Sequence, residues 1–460
     1  MKKLRKLSGI LALAMILSIF ASGCSTGGAG SSSSTSTESS QQTSSATESS
    51  QTESVEPYEL SVAWWGGEAR HEKTLEMIDA YMEKYPEATI VSQYAAYTDY
   101  FTKLATQAAG GNLPDVYLVQ LTYLGEYASK GLMRPLQDLV DAGKIDVSKF
   151  TSGALSGSSY NGELVGITFG DTASCIVYNK SLLERVGYDM PEDQMLYSDF
   201  ADYLKGLVPL LPEGSYAMQL GSHHEHSIEN YVRQRGCYGL TTEDGKELGY
   251  TKEIMADYWN YWYDLFLAGV NGPIEVILDD RSKQFADSLM GHGQIAFWYT
   301  NCNQAKIYQA TMEDELEIMR APLADDYTNQ YVEAAVCSTW AISGKTDKVD
   351  QAAQFINEMV NNWELQEIYD MDIGVPGSTE IQDKLIAEVD DTDPVDYMKK
   401  REIEVMQDIL GTIEPFNGRP SGYPAVVEDN YKKMDEILYG NMTVDQAIEA
   451  HFAMAQTLLA

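Results

Sequence analysis

An α/β architecture is the fold class that the sequence predicts, and three observations predict it. Short apolar runs alternate with stretches of helical periodicity from Leu60 onward, with Gly or Pro at the joins. About 400 residues follow Pro57, enough to bury two sizeable cores. Strands that alternate with single helices imply parallel sheet and right-handed crossovers.

The chain opens with Lys2, Lys3, Arg5 and Lys6, then an apolar run from Ile10 to Ala21 that only Ser18 interrupts. A basic start before a run too short to span a bilayer reads as a signal peptide over residues 1–23. The small-residue approach "ASGC" to Cys24 resembles the bacterial lipobox, with Ala21 where Leu is usual. Cys24 is therefore expected to be lipidated and to become the mature N-terminus; ordinary secretory cleavage is the alternative. Residues 24–56 form the expected tether. After Cys24 they are almost entirely Ser, Thr, Gly, Gln, Ala and Glu, which cannot bury enough apolar surface to offset ordering entropy. Random-coil scaling gives such a linker a reach of roughly 30 Å.

The elements then follow in order. "LSVAWW" is a strand that Gly66 and Gly67 end, and Leu75, Ile78, Met82 and Tyr85 mark a helical face before Pro86. "TIVSQY" is the next strand; Phe101, Leu104, Ala105 and Ala108 give a second helical stripe, closed by Gly110 and Gly111. "DVYLV" is a third strand before a helix through Tyr127 that stops at Gly131. Ligands of such sheets sit outside the carboxyl ends of strands, which marks Trp64, Trp65 and the stretch from Gln120 to Tyr123. Residues 180 to 330 are more helical and aromatic, and the spacing in "YWNYWYDLF" predicts core positions for Tyr258 and Tyr261. The tail from Pro394 reads as helices separated by "EPFNGRPSGYP", and no internal repeat is present.

Composition excludes several classes of function. A net charge of −37 argues against nucleic acid or anionic membrane as partners of the body, and a neutral or cationic ligand fits better. Cys175, Cys237, Cys302 and Cys337 are widely spaced without CxxC, so buried free thiols are expected rather than a disulfide framework or zinc site. "SHHEHS" invites a metal reading through His223, Glu225 and His226, but its tight sequential spacing suits a solvated loop. "DDTDPVD" at Asp390 to Asp396 lacks the turn Gly of a calcium loop and reads as an acidic loop before a helix. A glycosidase needs two carboxylates set across a sugar, and among 69 acidic residues such a pair is uninformative. GxSxG, the P-loop and a GxGxxG after a strand are all missing. No metal and no cofactor are expected.

An ordered set of segments resembles the bacterial family 1 extracellular solute-binding proteins. "GGNLPDVYLVQLTYLGEYASKGLMRPLQDLV" is similar to the family's G-x-x-P-D-V segment and following helix. "NGELVGITFGDTASCIVYNKSLLERVGYDMPE" is similar to its G-x-L-x-G-I-P…Y-N-K passage, with Thr168 where Pro is usual. "GHGQIAFWYTN", "RAPL", "STWAISGKTDKVDQAAQFINEMV" and "DIGVPGS" follow in the family's order, so the likeness spans residues 58 to 380. The resemblance implies a type II periplasmic-binding-protein-like fold, with mostly parallel sheets flanked by helices. Two lobes would be joined by a hinge, with a ligand cleft between them. It implies a monomer that binds without catalysis and delivers its ligand, in most members a sugar or oligosaccharide, to an ABC permease. The family's landmarks put the lobe crossings near Thr168 to Thr172, Ala335 to Ser338 and Ile373 to Gly377. One lobe is then 57–169 plus 338–375, the other 171–336 plus 376–460.

A sugar presents C–H faces that suit flat aromatic rings and a rim of hydroxyls that suits fork-like side chains. Alternation sends Trp64 and Trp65 to opposite faces at a strand end, so one can pack inward while the other lines the cleft. Glu68, Arg70 and His71 follow near the next helix start, with an exposed cap as the alternative role. Tyr97, Tyr100, Gln120 and Tyr123 stand at strand ends or the second helix start, and Asp171 stands at the expected hinge. Trp298, Tyr299 and Asn301 follow another strand, and Trp340 lies in the returning one. Arg419 and Tyr423, in the tail loop, complete the expected ligand set.

Overall fold

The computed structural model describes residues 56–283, 285–330, 335–413 and 422–459. The first strands are β1 (Tyr58–Trp65), β2 (Ala88–Ala95) and β3 (Val116–Gln120), with helices α1 (Glu68–Lys84), α2 (Tyr97–Gly110) and α3 (Leu121–Ser129) between and after them. β1 pairs in parallel with both β2 and β3, as strand–helix alternation requires. Gly111 stops α2 in the left-handed conformation at φ 70°, returning its N–H to Ala108.

β4 (Ile167–Asn179) is unlike the other strands. All thirteen of its residues are buried, against a usual strand length of about five or six. That length serves two ladders end to end. Ile167 to Ala173 pair antiparallel with β8 (Ala335–Ile342), which in turn pairs antiparallel with β3. Ser174 to Asn179 lie between β6 (Ile295–Asn301) and β7 (Leu316–Arg320), both antiparallel to β4. β5 (Tyr216–Met218) adds to β6 in parallel, so the main order is β2-β1-β3-β8-β4-β6-β5.

The sheet is therefore mixed, which corrects the expectation of mostly parallel strands. Parallel pairing is confined to its outer parts, where helices carry the chain back over the face. The centre is antiparallel because β4 and β8 run through it in opposite directions, and opposed strands pair only that way.

Asp171 is the point where a third chain segment joins this centre. It sits opposite Cys337 of β8, while its N–H and C=O bond the C=O and N–H of Val375 at 2.8 Å each. Three chain segments thus meet at one residue. The close approach is possible because Gly374, at φ 147°, has no Cβ; one added there would stand 2.6 Å from the Asp171 carbonyl oxygen.

Three apolar clusters lie along this sheet. One is built from residues between Leu60 and Phe169 with Trp340 to Ile373, including α6 (Val349–Asn361) and α7 (Trp363–Tyr369). A second runs from Ile176 to Ala321 and takes in α9 (Tyr423–Leu438) and α10 (Val444–Leu458) of the tail. The third joins Cys175, Val177, Trp298 and Val375 to Met406, Ile409 and Leu410 of α8 (Pro394–Thr412). Tyr258 lies fully inside the second cluster, and Tyr261 packs against it half-buried. Asp393 caps α8 by accepting from Val395 N and Asp396 N, so the acidic run before it is a helix start. Cys175, Cys302 and Cys337 are buried free thiols, while Cys237 is half-buried.

Gly374→Ala should lower stability by about 1–3 kcal/mol, the usual cost of a strained backbone position. Urea unfolding reads this as a lower midpoint at unchanged slope, and an unchanged midpoint would contradict the crossing described here.

Candidate functional site

Register alone locates the place where ligand-binding groups can gather. On one side the parallel strands β1, β2 and β3 end at Trp65, Ala95 and Gln120, and Gln120 lies level with Ser338 and, beyond it, Gly170. On the other side β6 ends at Asn301, level with Ser174. The carboxyl ends of both strand sets thus converge on Gly170 to Ser174, the position where open α/β sheets bind ligands.

The first side is aromatic. Trp65 packs on Tyr97, Tyr100 and Phe101 at centroid distances of 5.9, 5.6 and 5.3 Å. Phe101 stacks on Tyr123 at 3.9 Å, and the Tyr97 hydroxyl donates to Gln120 Oε1 at 2.5 Å. Five of the expected residues, Trp65, Tyr97, Tyr100, Gln120 and Tyr123, are brought into this one group. Tyr100 is its buried base, with its hydroxyl on the Leu118 carbonyl at 2.8 Å, and Tyr97 is its exposed edge.

Trp64 points to the opposite face of the sheet. It contacts Tyr94 at 5.0 Å and His71 at 6.3 Å, and His71 lies 4.4 Å from Tyr94. Burial lowers the His71 pKa and favours the neutral ring; the nearby Glu68 carboxylate opposes that shift. Both indoles are largely covered, at 1% and 4% exposure, whereas Tyr94 stays 44% exposed. Tyr94, one strand further out, is the surface ring of this second stack, and sequence reasoning passed over it. Glu68 is exposed in the first turn of α1, where the helix dipole favours an acid. Arg70 is held on Asp372, Nε to Oδ1 at 2.5 Å and Nη2 to the carbonyl at 3.1 Å.

The second side is polar. Helix α4 (Glu225–Arg233) carries His226, Glu229, Asn230 and Arg233 at i, i+3, i+4 and i+7, all buried. Asn230 Nδ2 donates to Ser174 Oγ at 2.7 Å and to the Tyr299 hydroxyl at 3.0 Å. His226 Nδ1 lies 3.1 Å from Asn301 Oδ1, and its Nε2 lies 3.0 Å from Glu225 Oε1. Tyr299 and Asn301 are thereby joined to α4 at the crossing, as is Ser174. Thr172 Oγ1 and Asn303 exchange hydrogen bonds at 3.1 and 3.2 Å. A cavity of about 100 Å³ opens beside this side, lined by Gln219, Leu220, His223, His224, Ile277, Arg281 and Tyr299. Asp435, outside the lining, lies 3.1 Å from His223 and 3.0 Å from Arg281 and so pairs the cavity's Arg281.

The polar stripe of α4 was visible as a spacing in "HSIENYVR", but a polar stripe ordinarily means a solvated face. Only the structure shows it covered. Among the described residues no group of three or more His, Cys, Asp or Glu could hold a metal ion.

Two other expected residues, Trp298 and Trp340, lie apart from these groups. Trp298 packs against the stacked pair Phe285 and Tyr308, and Trp340 is wholly buried between Phe169 and Phe355. The Tyr423 hydroxyl is hydrogen-bonded to Glu229 in the second cluster. Arg419 and Cys24 lie outside the described residues. Asp171 is 1% exposed, with Oδ1 accepting from Thr168 Oγ1 at 2.9 Å, and burial pushes its carboxyl up to about 7.

A family profile described as bacterial extracellular solute-binding protein matches residues 76–393. A curated relative, the arabinooligosaccharide-binding protein of Bacillus subtilis, is 27% identical over 158 residues, which span 33% of this chain and 36% of that protein. An extracellular solute-binding protein family 1 structure from Alicyclobacillus acidocaldarius is 24% identical, with a TM-score of 0.73 over 88% of this chain and all of that one. A periplasmic oligogalacturonide-binding protein from Yersinia enterocolitica is 20% identical, with a TM-score of 0.68 over 87% of this chain and 99% of its own. A Listeria monocytogenes ABC substrate-binding protein in complex with cycloalternan is 19% identical, with the same TM-score of 0.68 over 87% and 99%. These likenesses establish the periplasmic-binding-protein type of α/β fold.

The raised Asp171 pKa carries a testable sign. The folded chain keeps this proton to about pH 7, whereas an unfolded Asp releases it near 3.9. Its contribution to stability is full below the unfolded value and drains away as pH rises towards 7. Asp171→Asn should remove that slope, so the difference in unfolding free energy between wild type and variant should change between pH 4 and 7. A constant difference across that range would contradict the buried carboxyl.

Proposed function

Because this chain belongs to the bacterial extracellular solute-binding proteins, we propose that it is the substrate-binding component of an ABC importer and captures an oligosaccharide. The observation that carries this reading is the convergence of both sets of strand carboxyl ends on Gly170 to Ser174, with rings on one side and hydrogen-bonding groups on the other. Aromatic faces and amide or hydroxyl forks are the two kinds of surface that a saccharide needs. The names of its relatives, which cite arabino-oligosaccharide, oligogalacturonide and cycloalternan, support the same ligand class.

In this reading, residues 57–169 with 338–375 form one lobe and 171–336 with 376–460 the other. The distribution of the first two apolar clusters supports that division. Ligand docks on one lobe and bridges to the other, shifting an equilibrium between open and closed forms. Tyr94 and Tyr97 are the accessible platforms, and Trp64 and Trp65 support them from below. Lipidated Cys24 and the tether to residue 56 hold the body at the outer face of the cytoplasmic membrane, where the closed form meets the permease. No helix among the described residues is long and apolar enough to cross a membrane.

Calorimetry with arabino-, galacturono- and malto-oligosaccharides should find one saturable ligand, and a panel that gives no heat would refute the reading. Shortened products after long incubation would favour a hydrolase instead. Tyr94→Ala and Tyr97→Ala, both at exposed rings, should each weaken binding by up to about tenfold while leaving the melting temperature nearly unchanged. Small-angle scattering should show compaction on ligand addition; superimposable profiles at saturation would exclude closure.

A further inference from the structure

A cluster of cations in this acidic chain lies outside the ligand groups above. Arg70 and Lys73 of α1, Lys306 just after β6, and Lys399 of α8 surround two carboxylates, Asp370 and Asp372. Lys306 Nζ and Lys399 Nζ reach Asp370 at 2.8 and 2.7 Å, while Lys73 Nζ stands 3.9 Å away and donates to the Tyr369 carbonyl at 3.2 Å. Arg70 already occupies Asp372. Among the described residues Asp370 is thus the one carboxylate within 4.0 Å of these three ammonium groups, with Asp372 acting on Lys73 from further off.

One further acid, Glu402, touches the cluster and does not balance it. Glu402 is 1% exposed, accepts from the Lys306 backbone N–H at 2.6 Å, and burial pushes its carboxyl up to about 8, which leaves it neutral at pH 7. Among the described residues, four cations therefore face two anions inside a chain of net charge −37. The Lys73 pKa is lowered, first by desolvation; Asp370 and Asp372 attract its charge, while Lys306 and Lys399 repel it. The cluster is partly open, with the Lys73 and Asp370 side chains 33% and 37% exposed. Partly desolvated ammonium groups without a full complement of counter-charge favour an anion that offers several acceptor oxygens.

We propose that Lys73 and Lys399, beside Asp370, form a binding site for a small tetrahedral oxyanion, phosphate or sulfate. The bound ion bridges α1 to α8, elements that draw their apolar contacts from different clusters, so it fastens two parts of the molecule together. This site goes beyond the proposed sugar function and does not depend on it.

Inorganic phosphate and sulfate, each added to the full chain at ionic strength matched with sodium chloride, are the probes. Both should raise the melting temperature in a saturable way that chloride does not reproduce. Lys73→Met and Lys399→Met should each weaken half-saturation by about tenfold, the usual effect of losing one charged hydrogen bond. Asp370→Asn should tighten it, because the competing carboxylate is neutralised; a mere structural ion pair would only lose stability. Calorimetric titration of phosphate into the unaltered chain reads the site without any variant. An equal rise with chloride, no saturable heat, or half-saturation unmoved in both methionine variants (an adventitious ion only) would overturn the proposal.

Discussion

The hydrogen-bonding demand of one buried strand governs this structure. β4 has thirteen consecutive buried residues, and a buried backbone must find partners along its whole length. It does so by changing partners midway, from β8 to the β6–β7 pair, at Ala173 and Ser174. Everything else is placed relative to that change. The parallel strands on either side point their carboxyl ends at it, the third chain segment is stitched to it through Val375, and the close passage at Gly374 lets the segments approach.

That arrangement separates two kinds of chemistry. The side formed by β1 to β3 presents rings because strand alternation and helix stripes there are filled with Trp, Tyr and Phe. The side formed by β6 and α4 presents amide, hydroxyl and imidazole groups because a polar helical stripe has been drawn under cover. Buried polar groups must be satisfied, and here they largely satisfy one another: Asn230 with Ser174 and Tyr299, His226 with Asn301. Such mutual bonding holds each group in position, which under the proposed function reduces the ordering that binding requires.

Charge is used differently in the two regions. At the pocket, Arg281 and His223 are met by a carboxylate from just outside the lining, Asp435. Among the described residues, the corner at Asp370 is not so matched, although the chain as a whole has acid in excess. Net charge therefore describes the far field of the molecule and says little about a cluster whose members lie within a few ångströms of each other.

The sequence by itself determined the α/β class, the first helices and strands, and the kinship, because periodicity, glycine stops and ordered motifs are local properties of the chain. It also indicated strand ends and helix starts as places of interest, and four of the residues named there gather around Trp65. Burial was the part it could not decide. Trp340, expected among the ligand residues, looks like Trp65 in sequence, and "HSIENYVR" looks like an exposed helix. Whether a ring or a polar stripe faces solvent depends on which distant segment lies over it. Those neighbours are Phe169 and Phe355 around Trp340, and Ser174 and Tyr299 against Asn230. The reversal of strand direction at the centre belongs to the same category. It arises where chain segments far apart in sequence meet at Asp171, and no window of local sequence contains all three.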